Sequence, residues 1–210
     1  ENIRQRFVWD PALGAEVSAR AQQLLLGNLD ALSVSTGDLP YGDDKNRIWF
    51  GSLVIHMASG LKRHELCRGL LAEGLVLIGD PEGWCAALGP STPCLPHVDY
   101  QSQLGSIYKR SAINLNITSC QMPTAVNQRL FDVPLAGGFL LTDAQADATT
   151  LFQEGEEIVV YHSPEELREL CRFYLSRPEL RAKVVGAAKQ RIWSEHCVRH
   201  RLERMVQLIG

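Results

Sequence analysis

Short continuous apolar runs alternate along this chain with longer stretches in which apolar residues recur every three or four positions. The short runs are Leu75-Val76-Leu77-Ile78-Gly79, Ile113 to Thr118, Phe139-Leu140-Leu141-Thr142-Asp143 and Glu157-Ile158-Val159-Val160-Tyr161. Runs of this length predict strands buried on both faces, as in a parallel sheet. Among the longer stretches, Leu167, Leu170, Cys171 and Tyr174 share one helical face behind Ser163-Pro164-Glu165-Glu166. That opening combines a cap, a proline at the first helical position and acids in the first turn. Asp10-Pro11 opens a helix in the same way, expected to reach Leu32 with Val17, Ala21, Leu24 and Leu25 on its apolar stripe. Residues 33–46 read as a loop. The segment Ile48 to Met57 suits either a buried strand or a helix. Phe50, Leu53, Val54, Met57, Ala58 and Leu61 fall at helical spacing, which favours one long helix from about Lys45 to Leu71. Further helices are expected near 103–111, 144–152, 179–193 and 195–209, and a short edge strand near 95–98. Asp80 to Trp84 reads as the loop closing the first strand, with a turn of helix or loop at 85–89. Strands alternating with helices predict an α/β, doubly wound, Rossmann-like parallel sheet with extra helices at both ends.

The stretch from Ala112 to Asp143 organises the rest. Its Ile and Leu alternate with Asn114 and Asn116 as a strand end would, Ser119 to Met122 form a polar break, and Pro123 suits a first helical turn. A helix is expected from Thr124 to Ala136. Gly137-Gly138 would end it, because glycine takes a positive φ at little steric cost. Phe139 to Asp143 is the next strand. In an open parallel sheet the helix start beside the carboxyl end of a strand is where phosphate groups bind.

Composition narrows the class. The chain has 210 residues, enough for a sizeable core, and a net charge of −3. Its positive charges are scattered, apart from the C-terminal helices, where acids interleave with them, so nothing points to a nucleic-acid surface. No apolar run reaches the roughly 20 residues of a membrane span. The first residue is Glu and no signal-peptide pattern precedes the fold, so the chain reads as a piece of a longer one. The six cysteines form no C-x-x-C pair and have no histidine at zinc-finger spacing. They read as reduced packing thiols of a cytoplasmic protein. Cys120, beside the expected helix start, is the candidate for a reactive thiol, without a general base near it in sequence. His97, His196 and His200 read as solvated, and no D-x-D metal clamp is present, since Asp143 and Asp147 stand too far apart.

The string from Asn127 to Asp143, N-Q-R-L-F-D-V-P-L-A-G-G-F-L-L-T-D, resembles the nucleotide-sugar half of bacterial glycosyltransferases of the CgeB-like, spore-maturation group. So do Ile113 to Ser119, Gly79 to Trp84 and the string E-E-I-V-V-Y-H-S-P-E-E-L. The resemblance runs from about Ala58 to His200. It implies a GT-B enzyme of two Rossmann-type domains, with this chain carrying the C-terminal, donor-binding one. Residues 1–57 would be a helical segment or linker remnant, residues 58–210 the nucleotide-sugar domain, and the N-terminal acceptor domain would be absent. The implied activity is transfer from a nucleoside-diphosphate sugar, uridine-linked, to an acceptor such as a glycan, protein or small molecule, without metal or other cofactor.

Glycosyl transfer needs the growing charge of a leaving diphosphate to be stabilised, by metal or by helix N-termini and Arg or Lys. The loop from Ser119 to Thr124 and the amides after it are the expected phosphate cradle; a plain βα turn is the alternative. Arg129 would hold a phosphate through its planar fork, or else pair with Asp132 along one helix. The resemblance places the acid that binds ribose hydroxyls at Asp132 and a basic residue facing the diphosphate at Arg63, which could equally be a solvated surface arginine. Asn127 belongs to the same group. Many retaining relatives carry a glutamate where this chain has Thr124, which leaves the stereochemical course open. Gly79 would let backbone approach the ligand, with Asp80 and Trp84 nearby; Trp84 fits a core or domain-interface place better than base stacking. The resemblance also places residues 97–100 near the base, held mainly through backbone atoms. Asp143, at a strand end, would touch the donor sugar or cap the next helix. No catalytic base is identified; an inverting enzyme would draw it from the acceptor domain. The competing reading is a Rossmann-like nucleotide-binding or interaction module without turnover.

Overall fold

The computed structural model of the chain describes residues 11–31, 34 and 44–209. The expected cap at Asp10 and most of the expected loop at 33–46 lie outside the described residues. Two compact units result: residues 1–65 with 119–123, and residues 66–118 with 124–210.

The first unit contains α1 (Pro11–Leu25) and most of α2 (Asp44–Leu70). Val17 and Ala21 of α1 pack with Phe50, Val54 and Ala58 of α2, joined by Val34 and half-buried Cys120. The ambiguous segment is helical, part of α2, with Phe50, Val54 and Ala58 one turn apart on its buried face. The first helix is shorter than expected. It gives way at Leu26 to Asn28, where three backbone N–H groups turn back to Gln22, Gln23 and Leu24. Arg20 pairs with Glu16 at 2.6 Å and stacks over the Phe50 ring.

The second unit is α/β. A short 3₁₀ turn, Leu71–Glu73, leads into β1 (Leu77–Gly79), α3 (Pro81–Leu88) and β2 (Cys94–Pro96). After α4 (Leu104–Arg110) come β3 (Asn114–Asn116), α5 (Arg129–Ala136) and β4 (Leu140–Asp143). Then follow α6 (Ala146–Leu151), β5 (Val159–Tyr161), α7 (Pro164–Leu175), α8 (Pro178–Arg191) and α9 (Val198–Ile209). Among the described residues the strands form two parallel sheets, β1-β2 and β3-β4-β5. Successive strand residues serve opposite layers. Leu141, Val159 and Tyr161 pack with Leu167 and Cys171 of α7 and with Leu66 and Leu70. Leu140 and Val160 pack on the other side with Leu130 and Val133 of α5 and with Ala148 and Phe152. Helices therefore cover both faces of the three-stranded sheet, the Rossmann-like arrangement that the run pattern predicts.

Several boundaries differ from expectation. Asp80 does not close a loop but caps α3, accepting from Gly83 N at 3.0 Å, with Pro81 at the first helical position. The last two helices are separated by a five-residue π turn, Ile192–His196, and by the extended backbone of Cys197. The largest shift is at α5, which begins at Arg129 and not at Thr124. The Thr124 carbonyl accepts Asp147 N at 3.1 Å, and the Asn127 side chain takes Arg129 N at 3.0 Å. Side-chain and loop partners thus compete successfully with a helical ladder over 124–128. The Ser163 cap of α7 holds as expected, accepting Glu166 N at 3.1 Å. Among the described residues, no helix is long and apolar enough to cross a membrane.

Candidate functional site

The parallel sheet of the second unit brings polar side chains together at its carboxyl edge. Asp143, last in β4, is 5% exposed. Its carboxylate accepts Thr118 N at 2.9 and 3.1 Å, Thr118 Oγ1 at 2.8 Å and Gln145 Nε2 at 3.4 Å. One residue back on β3 and β4, buried Asn116 donates to Thr142 Oγ1 at 2.9 Å. Asn116 Oδ1 accepts Asn127 Nδ2 at 2.9 Å, and its carbonyl accepts the Tyr161 hydroxyl at 3.2 Å. Tyr161 is driven to remain protonated, first by burial and then by the charge of Asp143. Buried polar groups demand partners, and here each strand end supplies the next one's. The network fixes Asn127 and, through Arg129 N, the first residue of α5.

Asp132 lies in the first turn of α5, half-buried. Its Oδ2 accepts the hydroxyl of Tyr100, from the loop between β2 and α4. The alternative of an Arg129–Asp132 ion pair is not realised: Asp132 turns to Tyr100, while the exposed Arg129 side chain makes no ion pair among the described residues. Tyr100 is held up in pKa, above all by donating to Asp132, against a small opposing influence of Arg129. Its loop is stitched by Asp99, whose Oδ1 accepts Ser102 N at 2.7 Å and Ser102 Oγ at 2.6 Å. These bonds, the Ser102 hydroxyl foremost, keep the Asp99 carboxyl below the usual range.

The sequence-derived residues divide between the units. Asn127, Arg129, Asp132, Asp143, Thr124 and Gly79 belong to the second. Gly79 ends β1 at φ +141°, a conformation that suits glycine, with open space where a Cβ would stand. Thr124 is exposed. Arg63 and Ser119 belong to the first unit. Arg63 is half-buried on α2. Ser119 Oγ lies 3.1 Å from Ser59 Oγ and accepts Gln121 N at 3.3 Å. Cys120 N donates to Ser59 Oγ at 3.0 Å, and Met122 N to the Ser119 carbonyl at 2.9 Å. Three amides of the expected phosphate cradle therefore already have protein acceptors.

The histidine expectations change as well. His196 is not solvated: Nε2 lies 3.0 Å from the Leu151 carbonyl and the ring packs on Phe131 and Phe152. His200 Nδ1 accepts Cys197 N at 3.1 Å. His97 is exposed, as expected. Among the described residues no group of three His, Cys, Asp or Glu could hold a metal ion.

Asn116, Thr118, Thr142 and the Tyr100–Asp132 pairing escaped the sequence reading, although residues 97–100 were expected near the base. The first three had a signal: polar residues inside runs buried on both faces must find partners there. The pairing had none, because its two residues stand on different elements.

A sequence model of the family described as "Glycosyl transferase-like" matches residues 62–207. No curated protein and no solved structure matches the chain.

Proposed function

The chain belongs to the glycosyl transferase-like family, and from that premise we propose that its second unit binds the nucleoside-diphosphate part of a sugar donor. The finer reading is a CgeB-like, C-terminal donor domain of a bacterial, cytoplasmic GT-B enzyme. It would use a uridine-linked sugar, work without metal and meet its acceptor on a further domain.

One observation carries the reading: a half-buried carboxylate in the first turn of α5, with one oxygen engaged by Tyr100 and the other accepting no hydrogen bond among the described residues. A carboxylate of this kind is an acceptor for ribose hydroxyls. Arg129, three residues earlier and exposed, has a fork free to meet phosphate oxygens. As the glycosidic bond breaks, the negative charge growing on the diphosphate is what such a group stabilises. The Asn116–Asn127 bond fixes where α5 starts, and so where both side chains stand. A second reading, a nucleotide-binding or interaction module without turnover, draws on the loop amides of Cys120, Gln121 and Met122, which are taken up within the protein.

Asp132→Ala and Arg129→Ala test the assignment. Each removes a charge-assisted contact, so each should weaken UDP binding by about tenfold or more, measured by calorimetry. Parent-like affinity in both would contradict it.

A further inference from the structure

We propose that Tyr100 is a positioning residue of this site: its phenol oxygen and the free oxygen of Asp132 form a two-point acceptor for the vicinal diol of a ribose. The inference rests on the donor-site reading above and adds to it a residue and a selectivity. Tyr100 is 54% exposed, so its ring is fixed little by packing and its place is set at the tip, where the hydroxyl donates to Asp132 Oδ2. Having donated its one proton, the phenol oxygen keeps its lone pairs and becomes an acceptor. Oδ1 of Asp132 is the second acceptor on the same group. Two neighbouring acceptors match two neighbouring hydroxyl donors, and a deoxyribose leaves one of them unmatched.

The surroundings agree with this role. Asp99 and Gln103 tie the loop to itself and to the start of α4, since Asp99 N also donates to Gln103 Oε1 at 2.8 Å and Gln103 N returns to the Asp99 carbonyl at 3.1 Å. Tyr100 thus stands on a braced turn. Donation to Asp132 raises its pKa, so the hydroxyl stays protonated and bound at neutral pH. Arg129 is within electrostatic reach of the same phenol, which sets a phosphate-binding side chain beside the diol acceptors. As a mere stitch between an exposed tyrosine and a half-buried carboxylate at the surface, the Tyr100–Asp132 bond would contribute little to stability.

The test is calorimetric titration of the parent chain, Tyr100→Phe and Asp132→Ala with UDP and with 2′-deoxy-UDP, alongside thermal melting. One lost hydrogen bond predicts that the parent prefers UDP about tenfold, and that Tyr100→Phe binds UDP several-fold more weakly with most of that preference gone. Melting should be unchanged in Tyr100→Phe. An undiminished preference in Tyr100→Phe overturns the inference, as does an equal loss for both nucleotides or tighter UDP binding, which would mark the phenol as a competitor. In each of those cases weakened binding by Asp132→Ala leaves the donor site standing. A parent that binds neither nucleotide, or an Asp132→Ala variant that binds like the parent, overturns the donor-site reading and this inference together.

Discussion

Burial pushes the Cys171 thiol up to about 11, and the Glu73 charge adds to it. The ordinary value is 9.0, so the folded value is the higher one. Its contribution to stability is then fully present below about pH 9 and is lost as pH rises through about 11, roughly 2–3 kcal/mol in all. Native Cys171 should therefore resist alkylation at pH 8 and react only after unfolding, as mass spectrometry of labelled peptides would show. Rapid native labelling would contradict its place in the core. The packing role of Cys171 was legible because it recurs with Leu167, Leu170 and Tyr174 at helical spacing. Asn127 and Asp132 were legible only through the string that surrounds them. The pairing of Asp132 with Tyr100 was not, because hydrogen bonds between distant elements leave no period in a sequence. Thr118 illustrates a third case: its type is unremarkable, and its role comes from Asp143 reaching across from the neighbouring strand.

The joint between α5 and β4 shows how tightly one element constrains the next. Gly137 closes α5 at φ +93°, returning its N–H to Pro134 and Val133. Gly138 is needed for a different reason. A Cβ there would stand 2.5 Å from the Tyr108 carbonyl oxygen and 2.6 Å from Asn114 Nδ2. Backbone cannot yield cheaply, so Gly138→Ala should cost about 2–4 kcal/mol, against about 1 kcal/mol for Gly137→Ala, which meets only a strained φ. Urea unfolding of the two variants measures the difference, and equal losses would contradict this account. The glycine pair, the Ser163 cap and the strand cores were readable because they depend on neighbours in sequence. The start of α5 was not. Pro123 does suit a first turn, but Asn127 has better-placed partners in Asn116 and Arg129 N, and the helix waits for them.

At the scale of the molecule, alternating buried runs and amphipathic helices were enough to predict the parallel α/β unit, since each follows from which faces must leave water. The family match covers residues 62–207 and so takes in nearly all of that unit. Its polar edge gathers Asp143, Thr118, Asn116 and Asn127 into one network and sets Asp132 and Arg129 at the head of α5. We propose that this edge receives a nucleoside diphosphate. Calorimetric titration of the chain with UDP, GDP, dTDP and ADP, without added metal, tests it most directly. Saturable binding of UDP in preference to the other three is the predicted result; no binding of any of the four would contradict it.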